Sequence, residues 1–204
     1  MTRRVAIHAA ATLLALGLAA PARAQGGPMP TPAEIERRIK QEIERLPSAT
    51  ATNDALAIRY KQVPTDPKEV IRRAVAAGQL PPGIDPDQAV QQFLPVARPY
   101  IEKAMGEIGT VKVLRPLAYR SQKLPAGEYV FGLLMQGVQP IGIRIADART
   151  GAELRIPLRS GRAAEPHPVL LVELDPSRSG GKPAHEVRIG FDRLEGRAGK
   201  LLEQ

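Results

Sequence analysis

The residues best suited to chemistry in this chain are few. Outside the first two dozen positions there are two histidines, His167 and His185. Each stands near an acid, Glu165 and Glu186 respectively, so the two could hold a metal or run acid–base chemistry if their segments met. No H-x-H or H-x-x-x-H spacing organises them in advance. Both are expected in loops, His167 between Pro166 and Pro168, where an exposed histidine is the plain alternative. There is no G-x-S-x-G or S-x-x-K for a serine nucleophile. Gly180-Gly181-Lys182 has the composition of a phosphate loop but runs into Pro183 and a strand instead of a helix, which argues against nucleotide binding. Carboxylates such as Glu128, Glu153, Glu173 and Asp175 are present, but aromatic residues make up only 3% and there is no tryptophan, so sugar and base platforms are scarce. The absence of cysteine excludes disulfides, thiolate metal sites and thiol nucleophiles. No cofactor is implied, and no resident metal.

Arginine is the remaining candidate. Arg144, Arg155, Arg159 and Arg188 alternate with apolar positions, so each projects from the outer face of its strand. Gathered on adjacent strands they would bind an anion, with Arg178 and Lys182 on a nearby loop. Glu153, Glu173 and Glu186 fall on the same side, and a solvated face of cross-strand ion pairs is the competing reading.

The element on which the C-terminal half is built is Lys123–Ile145. Tyr129, Phe131, Leu133 and Met135 occupy every second position, as do Ile141, Ile143 and Ile145, with Gln136-Gly137 as the turn between them. Pro140 is expected to limit the pairing near that turn. Further strands are expected at Val111–Tyr119 (interrupted near Pro116), Leu154–Leu158, Val169–Val172 and Val187–Phe191. Pro157 suggests an edge for the second of these, and the continuous apolar run suggests burial on both faces for the third. Loops are expected at 160–168 and 176–183, and a short terminal helix at Leu194–Leu202.

The N-terminal half has a helical period. Thr31-Pro32-Ala33-Glu34 forms a capping box before a stripe of Ile35, Ile39, Ile43 and Leu46, and Pro47 ends that helix. A polar linker is expected at 48–54 and a short helix at 55–63. Asp66-Pro67 and Asp85-Pro86 open two more helices. Gly78 closes the first; the second is broken by Pro95 and Pro99, so that 100–108 forms a separate short turn or helix.

Residues 1–24 read as a signal peptide. Arg3 and Arg4 precede the apolar run Val5–Ala20, Pro21 breaks it, and Ala22-Arg23-Ala24 predicts cleavage before Gln25. Thr2-Arg3-Arg4-Val5-Ala6 approaches the twin-arginine export pattern, with Ala6 where a large apolar residue is preferred, so the export route stays open. After cleavage no segment is expected to span a membrane. The localisation implied is periplasmic or secreted, and residues 25–30 make a disordered lead. Of the remaining charge, residues 111–204 carry 15 Lys+Arg against 10 Asp+Glu, which suits an anionic partner.

The run Leu124-Pro125-Ala126-Gly127-Glu128-Tyr129 resembles the L-P-A-G-x-Y opening strand of small β-sandwich domains in secreted bacterial proteins. The resemblance covers about residues 111–195. It implies a sandwich outside the cytoplasm and carries no catalytic residues over to this chain.

The expected architecture is therefore α+β: a helical N-terminal segment over 31–108, then an antiparallel β-sandwich or small barrel over 111–204. The expected function is a cell-envelope binding or interaction protein without catalytic activity, with an envelope protein or an anionic polymer as partner and no nucleic acid. The alternative is a hydrolase of envelope material with a loop site near His167 and His185.

Overall fold

The computed structural model describes residues 31–76, 83 and 85–204. The signal peptide, the lead at 25–30, Gly78 and the turn at Pro81-Pro82 lie outside the described residues. The chain forms two compact units. One comprises the described residues up to Pro47 together with those between Val63 and Ala104; the other comprises Ser48–Gln62 and Met105–Gln204.

The first unit is helical. Helix α1, Pro32–Arg45, starts on the capping box read from the sequence. The Thr31 N–H donates to Glu34 Oε2 at 2.7 Å, and Thr31 Oγ1 accepts from the Glu34 N–H at 3.4 Å. Those bonds from Thr31 hold the Glu34 carboxyl below its ordinary range. Ile39, Ile43 and Leu46 are buried, as their spacing requires. Helix α2, Pro67–Ala76, and helix α3, Pro86–Met105, both begin at aspartates. Asp66 Oδ1 accepts from the Lys68 N–H, and Asp85 Oδ1 from the Asp87 N–H. Helix α3 continues through Pro95 and Pro99, so the expected break is absent. Each proline removes one intrahelical bond, but both lie on exposed positions where water can satisfy the freed carbonyls. Lys103 pairs with Glu36 at 2.6 Å, linking α3 to α1, and Lys68 pairs with Asp87.

The second unit is almost wholly antiparallel sheet. Its ladder order is β1-β2-β3-β6-β7-β8-β9-β10-β4-β5, with β1 Ser48–Thr52, β2 Leu56–Lys61, β3 Gly109–Val113, β4 Leu117–Tyr119 and β5 Gln122–Leu124. The longer strands are β6 Gly127–Gln136, β7 Gln139–Ala146, β8 Glu153–Ser179 and β9 Lys182–Ala198; β10 is Leu201–Glu203. The helical segment expected over 31–108 is thus interrupted. Residues 48–61 are a hairpin, because Leu56, Ile58 and Tyr60 alternate and are buried on one face, while the backbone of β2 pairs with β3.

The Lys123–Ile145 hairpin forms as its alternation demands. Phe131, Leu133, Ile143 and Ile145 are at most 1% exposed, and Gly137 takes φ +65° in the turn. The pairing runs past Pro140 to Gln136↔Gln139, because an irregularity at Leu134/Met135 absorbs the proline. That shift leaves Ile141 exposed at 46%, off the core face it was expected to share.

Strand β8 differs most from expectation. It runs unbroken through the predicted loop at 160–168 and into the predicted loop at 176–183. Pro157 lies in an interior strand and not at an edge. It is the last residue of β8 paired with β7, and from Leu158 onward β8 pairs with β9, so the missing N–H falls where the ladder changes partner. Pro166, Pro168 and Pro176 are exposed. Within 169–172 only Leu170 and Val172 are buried, so that run is covered on one face more than the other. Gly180 and Gly181, both with positive φ, close a two-residue turn into β9. The expected terminal helix is absent: residues 194–198 continue β9, and 201–203 form β10. No described helix is long and apolar enough to cross a membrane.

Candidate functional site

Arg144 and Arg155 stand directly opposite each other in the β7–β8 ladder and converge on one acid. Arg144 Nε donates to Glu153 Oε2 at 2.7 Å and its Nη1 to the Gly106 carbonyl at 2.9 Å, while Arg155 binds Glu153 Oε1. The Arg144 hydrogen bond, with Arg155 behind it, holds the Glu153 carboxyl below its usual range despite some burial. Farther along β8, exposed Arg159 faces Arg197 of β9. Arg197 lies 3.6 Å from Glu186 and 3.7 Å from Glu195. Among the described residues Arg159 has no carboxylate partner.

Arg188 has different surroundings. It pairs with Glu173 at 3.3 Å, Asp175 at 3.4 Å and Glu195 at 3.2 Å. Burial works against its charge, but Asp175, Glu195 and Glu173 outweigh it and raise its proton affinity. Asp192, at φ +49°, marks a bend in β9. The bend lets Arg188 reach Glu195 and Arg197 reach Glu186, so two halves of one strand face each other across an ion-pair network. Of the four predicted arginines, the structure sets Arg144 opposite Arg155 and Arg159 opposite Arg197 along β8, and surrounds Arg188 with acids. Arg197 completes the row. Sequence reasoning missed it because 194–202 read as helix, although Leu194, Gly196 and Ala198 alternate with Glu195 and Arg197.

The histidines are on strands, not in loops. His167 is half-buried on β8, its ring over Gly190. His185 is 3% exposed on β9. The regular stretch of β9 from 185 to 190 separates them by about 16 Å, and no shared site with Glu165 and Glu186 is assembled.

His185 instead belongs to a relay that the sequence did not reveal. Asn53, in the β1–β2 turn, uses Oδ1 to accept the Ala55 and Leu56 N–H groups, both at 3.0 Å. That fixes its amide, so Nδ2 donates to His185 Nδ1 at 3.0 Å. The ring proton is therefore on Nε2 and donates to Glu203 Oε1 at 2.9 Å. Glu203 is placed there because Leu201 pairs with His185, and the residue two positions on shares its face. Arg115 bridges Glu203 at 3.4 Å and Asp54 at 3.3 Å.

Asp54, His185 and Glu203 offer ligand atoms within 4.8 Å of one another. A metal on Nε2 would need the ring proton on Nδ1, where the Asn53 amide already donates, and Arg115 already bridges both carboxylates. The donor set fits a hydrogen-bond relay, which ties the β1–β2 turn to β9 and β10, better than it fits a metal centre. In comparisons with known proteins, the chain matches no family model, no curated protein and no solved structure.

Proposed function

We propose that the protein is a non-catalytic binding module of the cell envelope, working in the periplasm or beyond the cell, and that its recognition surface is the arginine row on β7, β8 and β9. The ligand class is an anionic polymer. The observation that carries this reading is Arg159. It is exposed, lacks a carboxylate partner among the described residues, and stands directly opposite Arg197. Like charges facing each other across a ladder destabilise it, and an anion bridging them removes that penalty. Arg155, 65% exposed, extends the row. The charge excess of residues 111–204 points the same way.

We read the second unit as a two-layer sandwich of the kind implied by the L-P-A-G-x-Y run. What supports this is that β8 changes ladder partner at Pro157/Leu158, and that Tyr60 Oη on β2 accepts the Val172 N–H from β8 at 3.0 Å, although those strands are far apart in the ladder order. Export rests on the signal-peptide pattern of residues 1–24.

The test is binding of the mature protein to dextran sulfate, with neutral dextran as control, in rising salt. Affinity should fall steeply as ionic strength rises, and should drop roughly tenfold in Arg159→Gln/Arg197→Gln. Salt-insensitive binding, or equal binding to neutral dextran, refutes the recognition surface. Detection of the uncleaved protein in the cytoplasm refutes the location.

A further inference from the structure

We infer that a second binding site, separate from the Arg159–Arg197 pair, lies in the cleft between β5 and the β7–β8 turn and takes a primary alkylammonium group. The cleft has a volume of about 340 Å³, within the size range of small-ligand sites. Exposed Pro125 and Ala152 line it over the buried Leu124, Ile145 and Leu154; Tyr129 and Asp147 supply polar atoms, and Lys123 lines it as an exposed residue.

The polar atoms are mostly acceptors. Asp147 Oδ1 takes the Arg149 N–H at 2.8 Å and the Thr150 N–H at 3.3 Å, with the Arg149 guanidinium 3.7 Å away. The backbone bond from Arg149 is the main reason the carboxyl stays below its usual range. Asp147 Oδ2 accepts no bond from any described residue, though the side chain is only 19% exposed. The Tyr129 hydroxyl spends its proton on the Pro125 carbonyl at 2.8 Å, which leaves its oxygen lone pairs free. Burial, and the Asp147 charge nearby, keep that phenol protonated. Glu153 also lines the cleft, but Arg144 and Arg155 occupy both its oxygens. An ionised carboxylate oxygen and a phenol oxygen beside an apolar surface match an ammonium on an alkyl stem. Asp147 Oδ2 is the one carboxylate oxygen lining the cleft that no described residue engages, so a diamine's second ammonium finds no partner there. β5 is the terminal strand of the ladder, so no further described strand covers its outer edge.

The experiment is an NMR titration of the intact protein with hexylamine, hexanol, 1,6-diaminohexane and N-acetyl-lysine amide. Hexylamine should perturb the amides of 122–125 and 145–154 with a Kd on the order of millimolar, and the alcohol and the diamine should bind markedly more weakly. Asp147→Asn keeps an oxygen for the Arg149 and Thr150 N–H groups, so the turn survives while the charge is lost. Hexylamine affinity should then fall roughly tenfold. Tyr129→Phe supplies the same test should that variant fail to fold. If the acetylated lysine binds as well as hexylamine, the natural source of the group is a peptide lysine; if hexylamine alone binds, it is a free amine. Equal binding of hexanol and hexylamine, or undiminished binding in both variants, overturns the assignment.

Discussion

Replacing Asn53 with alanine removes three interactions at once. The Ala55 and Leu56 N–H groups lose their acceptor, and His185 Nδ1 loses its donor. Ala55 and Leu56 are fully buried and His185 nearly so. An orphaned buried polar group costs about 1–3 kcal/mol. Asn53 itself is half-exposed, so water can enter where its amide was, and the low end applies to each. The expected loss is about 3 kcal/mol in urea denaturation, or about 10 °C in Tm. Asn53→Asp is the informative partner variant. It keeps an acceptor for the two backbone N–H groups but sets a carboxylate oxygen against His185 Nδ1, so the ring gains a reason to carry a second proton between the introduced carboxylate and Glu203. Binding that proton favours the folded state at low pH, so this variant should compare better with the unmodified protein at pH 5 than at pH 8. An alanine variant within about 0.5 kcal/mol of the parent, together with parallel pH profiles for the aspartate variant, would refute the relay as drawn.

Two further perturbations follow from the geometry. Gly132→Ala would put a Cβ 2.0 Å from the Gly106 carbonyl oxygen, so the backbone at 106–108 must move. A loss of about 3 kcal/mol or more is expected in chemical denaturation, and a change near zero would show that this segment yields freely. Glu153, held below its ordinary range chiefly by Arg144, contributes stability that is complete above the unfolded carboxyl's titration near 4.5 and is lost as pH falls. Glu153→Gln should therefore be less stable at pH 7 and lose less on acidification, and denaturation curves from pH 3 to 7 decide it.

Much of the fold was legible where one physical signal dominated. The capping box at Thr31–Glu34 and the alternation across the 127–146 hairpin led to the elements observed. Pro157, Pro166, Pro168 and Pro176 misled because proline warns of an interrupted ladder. In β8 they fall at exposed positions or where pairing changes partner, and there the missing donor costs little. The hairpin at 48–61 was obscured because Ser48–Thr52 has no apolar face of its own and Leu56–Tyr60 is short, so only its pairing with distant β3 defines it. The arginine row was partly legible, since Arg144, Arg155 and Arg159 obey strand alternation. Arg188 also alternates, but its acidic neighbours come from the pairing with β8 (Glu173, Asp175) and from the bend in β9 (Glu195), which no local pattern announces. The Asn53–His185–Glu203 relay joins residues from both ends of the second unit, so no spacing rule could expose it.

The interleaving of the two units along the chain sets the order in which this protein can acquire structure. Strands β1 and β2 are made before Val63–Ala104, and β3, their partner ladder, only after it. A lone two-stranded hairpin is marginal in water, so the first part of the sheet must wait, unsupported, until the intervening helices have left the ribosome. Its final bond to β8, Tyr60 to Val172, spans 112 positions. Such separation raises the contact order and slows the search for the native pairing. The length of the helical insert adds little to the closure cost itself, since doubling a closed loop adds only about 0.6 kcal/mol. Acquisition of the sheet is thus a late event that depends on the last strands. A chain stopped before β9 would leave residues 158–179 of β8 without a ladder partner, an exposed edge for quality control to clear.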